Sequence, residues 1–205
     1  MSTTAPSTSL RDVIGLDNQP PRLSESALIL IDYQNTYRTG VMALEGAEEA
    51  LAAGAKLLER ARAAGIPVIH ILNDGGVDTP YDIRARIGAI SDEVAPLPGE
   101  AVVIKEFPDS FHATELRKVL QDLNIAPGGD LLLAGFMTHM CVTFTAQGAF
   151  NLGYRPTVVA ETTATRALTA PDGSVLPASA LQAASLTTIT DLFGTVVPTV
   201  DAIPN

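Results

Sequence analysis

Short apolar runs alternate with longer segments of helical periodicity along most of the chain. The apolar runs predict strands at Ala27–Ile31, Pro67–Leu72, Ala101–Ile104, Asp130–Ala134, Pro156–Ala160 and Thr195–Val197. The intervening helical patterns cover Ala47–Ala64, Ala113–Leu123, Cys141–Leu152 and Pro177–Leu192. Continuous apolar runs are typical of strands covered on both faces, and strand–helix alternation favours parallel pairing with right-handed crossovers. The pattern therefore predicts a three-layer α/β/α domain with about six strands in its sheet.

Three segments fall outside this alternation. Residues 1–22 contain Ser, Thr, Pro and Asp without a long apolar run, and we expect an N-terminal arm before a single domain over residues 23–205. The segments Tyr33–Gly46 and Asn73–Glu100 are too long for simple connectors. Both follow a predicted strand at its carboxyl end, where open α/β sheets bind ligands, so we expect them to shape a binding site.

Composition excludes several classes of protein. The 205 residues include 13 basic and 23 acidic side chains, and the formal net charge of −10 disfavours nucleic acids and anionic membranes as partners. A single cysteine rules out an intramolecular disulfide and a cysteine-based zinc cluster, and it fits a reducing compartment. The apolar runs are too short to span a bilayer, and the first residues do not resemble an export signal. We expect a cytoplasmic protein that acts on a small-molecule substrate.

Three chemically versatile residues stand at predicted strand ends. Asp32 and Lys105 each end an apolar strand, and Cys141 begins the helix that follows the fourth strand. Each has a structural alternative, since Asp32 could cap a turn, Lys105 could reach water and Cys141 could be a buried apolar thiol. Together they predict an activated nucleophile: the carboxylate takes the thiol proton, and the ammonium and the helix start favour a thiolate.

Four blocks of sequence carry a family resemblance. They are the run Ala27–Asn35, the run Val102–Lys105 with Ser110-Phe111, the run Ala134–Val142 and the run Ala149–Tyr154. In order and spacing they resemble the isochorismatase-like cysteine hydrolases, which include nicotinamidases and N-carbamoylsarcosine amidase. The resemblance extends over roughly Ala27 to Val197. The block that contains the cysteine, together with the upstream aspartate and lysine, is specific for this family, whereas any one block alone would be weak evidence for it.

The resemblance implies a Rossmann-like, six-stranded parallel sheet of order 3-2-1-4-5-6 and a catalytic triad of Asp32, Lys105 and Cys141. It also implies a cis peptide bond between Phe136 and Met137, and an oxyanion hole formed by the backbone N–H groups of Met137 and Cys141. In the family the nucleophile forms a thioester, releases ammonia or an amine, and is freed by water. Members are commonly oligomeric, so we expect a dimer or a larger homo-oligomer.

Two departures from the patterns of particular family members indicate which reaction the chain is expected to catalyse. Nicotinamidases hold a metal with an Asp-x-His pair and a further histidine after the second strand, where this chain reads Asn73-Asp74-Gly75-Gly76. His70 lies within a predicted strand, where we expect a buried, hydrogen-bonded imidazole. We therefore predict no metal site and no cofactor. Isochorismatases, which cleave a vinyl ether, have a different residue at the nucleophile position, so Cys141 favours hydrolysis of a C–N bond.

Other residues are candidates for contact with the substrate. Gln34 could orient the catalytic aspartate, line the pocket or cap a turn, and Tyr37 could form a pocket wall. Phe111 could line the site or belong to the core, and His139 could touch the substrate or point away. Arg166 could anchor a carboxylate or form a surface ion pair.

The sequence thus predicts a cofactor-free cysteine hydrolase that cleaves a C–N bond of a small amide, ureido compound or lactam. Two alternatives stay open: an ether hydrolase on the same scaffold, and a catalytically silent binding protein, since a fold does not determine function. The presence of Asp32, Lys105 and Cys141 together weighs against the silent protein.

Overall fold

The computed structural model describes residues 7–205 and is built around a parallel sheet. The strands are β1 (Ser26–Ile31), β2 (Val68–Asn73), β3 (Ala101–Lys105), β4 (Asp130–Phe136), β5 (Arg155–Ala164), β6 (Leu168–Thr169), β7 (Val175–Leu176) and β8 (Thr195–Val197). The helices are α1 (Leu10–Val13), α2 (Ala47–Ala64), α3 (Leu116–Asp122), α4 (Thr143–Asn151) and α5 (Ala178–Thr188). The six-stranded sheet has the order β3-β2-β1-β4-β5-β8, which confirms the predicted topology, with β8 as the sixth strand.

The central strand β1 is covered on both faces, as its unbroken apolar run predicts. Leu28 and Leu30 pack in one core cluster with residues of α2. Ile29 and Ile31 alternate with them and pack in a second cluster with residues of α3 and α4. Because successive side chains of a strand point to opposite faces, this alternation gives helices on both sides of the sheet and a three-layer domain.

A glycine lets β4 approach β1 closely at the end of the sheet. Gly135 pairs with Ile31 and has a φ of 133°, which residues with a side chain rarely adopt. A Cβ atom at Gly135 would lie 1.9 Å from the carbonyl oxygen of Ile31. This close approach brings the chain after β1 and the chain after β4 to the same edge of the sheet.

Several predicted bounds differ from the structure. The helix expected over Ala113–Leu123 begins at Leu116, because Ala113 has a φ of 54° and so turns the chain before the helix. The helix expected to begin at Cys141 is preceded by a π-helical turn, Thr138–Val142, so helical winding starts before the cysteine. The hairpin of β6 and β7, between β5 and α5, was not predicted.

The described part of the N-terminal arm contacts the end of the last long helical segment. The backbone N–H of Leu10 donates to the Asp191 carboxylate at 3.0 Å, and the guanidinium of Arg11 donates to the carbonyl of Leu192 at 3.3 Å. The first residues of the predicted arm, Met1–Pro6, lie outside the described residues. Within residues 7–205, no helix has the length and apolar character that crossing a bilayer requires.

Candidate active site

The ends of three neighbouring strands bring two of the predicted catalytic side chains together. Asp32 follows β1 directly, and Lys105 is the last residue of β3, with β2 between the two strands. The backbone N–H of Asp32 donates to Ile71 of β2 at 3.1 Å. Asp32 has a φ of 50°, a left-handed conformation that is uncommon for a residue with a side chain and often marks a functional site.

Lys105 forms the centre of a buried cluster. Its Nζ lies 2.8 Å from Oδ2 of Asp32 and donates to Sγ of Cys141 at 3.3 Å. Asp32 is 0% exposed, Lys105 1% and Cys141 6%, so the three groups interact with little screening by water. Neither Asp32 oxygen receives an aligned hydrogen bond from a residue in the described range. The carboxylate therefore has lone pairs available for a proton.

The titration behaviour of the cluster follows from its burial. Burial raises the pKa of Asp32, which the Lys105 charge partly opposes, and the carboxylate is thus a stronger base than usual. Burial alone would lower the pKa of Lys105, but the neighbouring Asp32 and Cys141 raise it, so the lysine is an ammonium at neutral pH. Burial and then the Asp32 charge raise the pKa of Cys141 to about 12.

The raised thiol pKa differs from the expectation for a cysteine at a helix start. A helix N-terminus lowers a thiol pKa where the thiol is partly exposed to water. Here Cys141 lies in a π-helical turn ahead of α4, buried beside a carboxylate, and these two effects outweigh Lys105. With a raised pKa the thiol holds its proton at neutral pH, and it would act as a nucleophile only after a base had taken that proton.

A residue that the sequence reasoning did not assign to the site completes the contacts of Lys105. Oδ1 of Asn73 accepts a hydrogen bond from Lys105 Nζ at 3.3 Å. Gln34 holds Asn73 in place, because its side-chain oxygen accepts from the Asn73 backbone N–H at 3.0 Å and its nitrogen donates to the Asn73 carbonyl at 2.9 Å. Gln34 also donates to the carbonyl of Gly88 at 2.6 Å. With these hydrogen bonds, Gln34 positions Asn73 beside Lys105.

The backbone before the cysteine has the conformation implied by the family resemblance. The peptide bond between Phe136 and Met137 is cis, as expected. The carbonyl oxygen of Met137 accepts from the backbone N–H groups of Met140 at 3.0 Å and Val142 at 3.2 Å. These bonds form the turn that holds Cys141 at the end of the sheet.

Aromatic side chains form a wall beside the cluster. Tyr37 is fully buried and contacts Phe136 edge-to-face, with ring centroids 5.6 Å apart, and Tyr81 at 5.7 Å. Burial raises the pKa of Tyr37 well above its usual value, and the charges of Asp32 and Cys141 raise it further. Tyr37 and Tyr81, which come from the two long loops, thus pack together beside Phe136, and the substrate contact expected of Tyr37 stays a prediction.

His139 and Phe111 lie in different places. Nδ1 of His139 is 2.5 Å from Oγ1 of Thr165, and the half-buried imidazole is two positions before the nucleophile. The ring of Phe111 stacks on Tyr154, with centroids 5.9 Å apart, among the core residues that face α3 and α4. Tyr154 directly precedes β5, at the opposite end of the sheet from Cys141. The structure favours the core alternative for Phe111, and we leave it out of the proposed site.

Histidine and acidic residues are not grouped as metal ligands in the described range. No group of three or more His, Cys, Asp or Glu side chains in residues 7–205 could hold a metal ion. Nε2 of His70 lies 2.8 Å from Oε2 of Glu100, and His70 is buried, which confirms the hydrogen-bonded imidazole predicted from its place in a strand.

A cavity lies at the opposite end of the sheet from the cysteine. It has a volume of about 480 Å³ and is bounded by the N-terminal arm, including Arg11, and by residues at the amino ends of β4 and β5, such as Asp130 and Arg155. None of the triad side chains lines it. Because open α/β sheets bind ligands at their carboxyl ends, the buried cluster at Cys141 is the better candidate for the active site.

Comparisons with known proteins agree with the observed fold. The family model described as the isochorismatase domain matches residues 26–201. A crystal structure described as an isochorismatase from Pseudomonas putida superposes with a TM-score of 0.89 and 37% identity, covering 96% of this chain and 99% of that one. A secreted isochorismatase effector from Verticillium dahliae is 30% identical, over 94% of this chain and 98% of its own length.

Two relatives whose names state an activity match a smaller share of this chain. A streptothricin hydrolase from Streptomyces noursei is 36% identical over 63% of this chain and 50% of its own length. A ureidoacrylate amidohydrolase from Stutzerimonas stutzeri is 30% identical over 69% of this chain and 71% of its own length.

Proposed function

This chain belongs to the isochorismatase family, and from that membership and the buried cluster around Lys105 we propose that it is a cysteine hydrolase of small amides. The bond cleaved is the C–N bond of an amide, ureido compound or lactam. One observation carries the proposal: Lys105 contacts both the Asp32 carboxylate and the Cys141 thiol in a site that is largely buried. A charged pair is costly to bury, and its position against a cysteine is what nucleophilic catalysis requires.

The reaction has two stages in this proposal. Asp32 takes the proton from Cys141 as Sγ attacks the carbonyl carbon, and Lys105 stabilises the negative charge on sulfur. The oxygen that becomes negative is held by the backbone N–H groups of Met137 and Cys141. Collapse breaks the C–N bond, the proton on Asp32 passes to the leaving nitrogen, and a thioester and an amine or ammonia result. Water then attacks the thioester with Asp32 as base, which releases the acid and restores the thiol.

The names of the relatives also support an alternative. The structure from Pseudomonas putida and the effector from Verticillium dahliae are described as isochorismatases, so hydrolysis of an ether on the same scaffold is the second candidate. The cysteine separates the two, because an ether gives no acyl group that a thiol could retain, whereas an amide gives a thioester.

An ammonia-release screen with intact-mass measurement tests the proposal. Primary amides, carbamoyl compounds and lactams are incubated with wild type, Cys141→Ala and Cys141→Ser. We expect ammonia, or ring opening for a lactam, from the wild type, and an adduct equal to the acyl group when the reaction is stopped with acid. Both variants should stay folded and lose nearly all turnover. Turnover that survives in Cys141→Ala would refute the mechanism, and vinyl-ether cleavage without an adduct would favour the alternative.

Location and assembly form part of the same proposal. The nucleophile is the chain's single cysteine and must stay reduced, which supports a cytoplasmic location that cell fractionation would test. We propose a homo-oligomer, for which light scattering is the measurement, and a mass of 21.4 kDa in solution would contradict it.

A further inference from the structure

Two hydrogen bonds between side chains of residues 7–205 lie wholly in the interior, and both join the same two parts of the chain. The first is the contact of Lys105 Nζ with Cys141 Sγ. The second joins Oγ of Ser110 to Oγ1 of Thr145 at 2.7 Å, and both residues are 0% exposed. Lys105 ends β3 and Ser110 follows it, whereas Cys141 lies in the π-helical turn and Thr145 one turn later in α4.

The sheet alone does not bring the lysine to the cysteine. β3 and β4 are separated by β2 and β1, and three strand spacings amount to about 14 Å. The lysine side chain and the turn after β4 must cover that distance between them. The 3.3 Å contact of Lys105 Nζ with Cys141 Sγ therefore depends on how α4 and its preceding turn rest against the segment that follows β3.

The segment after β3 rests directly on α4. The backbone N–H of Ser110 donates to Oγ1 of Thr145 at 3.1 Å, so the threonine hydroxyl meets both the backbone and the side chain of Ser110. About one turn further along the helix, a Cβ atom at Gly148 would lie 2.4 Å from Oδ1 of Asp109. Oγ1 of Thr114 donates to the carbonyl of Ser110 at 2.5 Å and closes the segment on itself. These contacts hold Ser110 against one face of α4.

A pair of hydroxyls at this place contributes direction more than stability. Buried hydroxyls give up hydrogen bonds to water, so the bond contributes only about 1 kcal/mol net, and an apolar pair of the same shape can be nearly as stable. Apolar contacts have no preferred direction, whereas a hydrogen bond sets a distance and an angle. The pair lies beside apolar core residues of the same helical segment, Val142 and Ala146, and it selects one arrangement of segment and helix.

We propose that Ser110 and Thr145 are positioning residues that hold the Cys141 sulfur against the Lys105 ammonium. The pair fixes α4, and the turn that precedes it, relative to the segment that follows β3. Without the pair, a shift of about 1 Å would weaken the contact of Nζ with Sγ, and a misplacement of that size can slow an enzyme by about 10²-fold. The effect on turnover rests on the proposed function, whereas the effect on the thiol does not.

The reactivity of the thiol tests the proposal without any substrate. Ser110→Ala removes the bond between the hydroxyls and keeps the backbone N–H that donates to Thr145. Burial and the Asp32 charge raise the pKa of Cys141 and the Lys105 charge lowers it, so a weaker lysine contact should raise it further. At a fixed alkaline pH we expect alkylation by iodoacetamide to slow by about 3-fold to 10-fold. Thr145→Ser keeps the hydroxyl and should stay within about 2-fold of the wild type.

The same substitution in a Lys105→Met background shows whether the pair acts through the lysine. That background has no ammonium, so Ser110→Ala should change its alkylation rate by less than about 2-fold. Equal slowing in both backgrounds would mean that the pair reaches the thiol by another route, and it would overturn the proposal. An unchanged rate for Ser110→Ala in the otherwise wild-type protein would overturn it as well.

Ser26→Ala is the matched control for lost stability. Ser26 is a buried serine at the start of β1, at the opposite end of the sheet from the cysteine, and its Oγ donates to the carbonyl of Arg22 at 2.7 Å. Unfolding in urea should show similar losses of stability for Ser26→Ala and Ser110→Ala, while only Ser110→Ala slows alkylation. Equal slowing in Ser26→Ala would indicate general loosening of the fold and would contradict a positioning role.

Turnover separates positioning from substrate binding. With an amide substrate found in the screen, Ser110→Ala should lower kcat by about 10-fold and leave KM nearly unchanged, and Thr145→Ser should keep most of the activity. A rise in KM with kcat unchanged would indicate that the segment binds substrate, and it would overturn the proposal. If no amide is hydrolysed but alkylation responds as expected, the proposed function fails and the positioning of the thiol by Ser110 and Thr145 stands.

Discussion

Oδ1 of Asn73 lies 3.3 Å from Nζ of Lys105, its partner in the register of β2 and β3. This contact gives the ammonium a neutral third acceptor beside the Asp32 carboxylate and the Cys141 sulfur. An ammonium has three N–H groups, so Lys105 can donate to Asn73 and Cys141 while it forms an ion pair with Asp32. The neutral amide accepts a hydrogen bond without adding a second negative charge near the sulfur.

Two variants of Asn73 should distinguish the effect of its hydrogen bond to Lys105 from the effect of its being uncharged. Asn73→Leu removes the acceptor, and we expect kcat to fall by about 10-fold because Lys105 is less well oriented. Asn73→Asp keeps an acceptor but adds a negative charge, which should raise the pKa of Cys141 and move the pH–rate profile to higher pH. Steady-state kinetics across pH measures both. A fall in activity without any shift of the profile in Asn73→Asp would indicate a merely structural role.

Asp32 and Lys105 should shift the reactivity of the thiol in opposite directions. Asp32→Asn removes a negative charge and should lower the pKa of Cys141 from about 12, whereas Lys105→Met removes the positive charge and should raise it. Both variants should slow acylation by about 10²-fold or more. The rate of alkylation by iodoacetamide against pH measures the shifts, which belong to the coupled cluster. Midpoints that move the same way, or do not move, would show that these residues do not act on Cys141 as proposed.

The cluster of Asp32, Lys105 and Cys141 could be predicted from the ends of the strands, whereas Asn73 was missed because its role depends on side-chain contacts between strands. Asp32 and Lys105 were found because each ends an apolar run in a parallel sheet. Asn73 occupies the same position in β2, and its pairing with Lys105 was the signal that could have identified it. The position of Asn73 also depends on Gln34, which follows β1, and the sequence pattern of β2 alone gives no sign of this contact.

The long loops were located by length, but their conformations were not predictable. Tyr37 and Tyr81 come from different loops and meet only in the folded protein. Phe111 was expected near the site but packs in the core, since an aromatic residue near a motif packs equally well in a core or in a pocket. The partner of His70 is likewise distant in sequence, because Glu100 precedes the next strand.

Removal of metal ions should leave activity unchanged. The second strand ends in Asn73 rather than in an Asp-x-His pair, and the described residues contain no group of three ligands that could hold an ion. We expect turnover to survive exhaustive dialysis against EDTA, with no gain on adding zinc, iron or manganese. Loss of activity on chelation, with recovery on adding one of these ions, would contradict the prediction.

Gly135→Ala should destabilise the protein strongly. The new methyl group would meet the carbonyl of Ile31 at 1.9 Å, and the φ of 133° is unfavourable for alanine. We expect the free energy of unfolding to fall by more than about 2 kcal/mol. Gly173→Ala is the control, because Gly173 has a φ of 85° with no atom within 4 Å of the added group. Gly173→Ala should lower the free energy of unfolding by about 1 kcal/mol. Urea unfolding of both variants therefore separates the effect of the steric clash from the effect of the positive φ.

Acidification should destabilise the fold through His70 and then through Glu100. Burial lowers the pKa of His70 below 6.5, so the unfolded chain binds this proton more readily than the folded one. Stability should therefore fall as the pH drops below about 6.5, until it passes the folded pKa of His70. Hydrogen bonds from Arg62, opposed by burial, lower the pKa of Glu100 to about 2. The stability that this carboxylate contributes is present above the unfolded value of 4.5 and is lost as the pH falls towards 2.

His70→Asn separates the two steps. The variant has no imidazole to protonate at this position, so its unfolding midpoint in urea should change less than that of the wild type between pH 7 and pH 5, about the range of the histidine step. His139 is also partly buried with a lowered pKa and contributes in the same direction, so His139→Asn serves as the matched comparison, and the double variant should lose the fall in stability that the two histidines cause. The loss below about pH 4.5 should persist in all three variants, because Glu100 causes it. An unchanged slope between pH 7 and pH 5 in the double variant would mean that groups other than these two histidines carry the acid sensitivity.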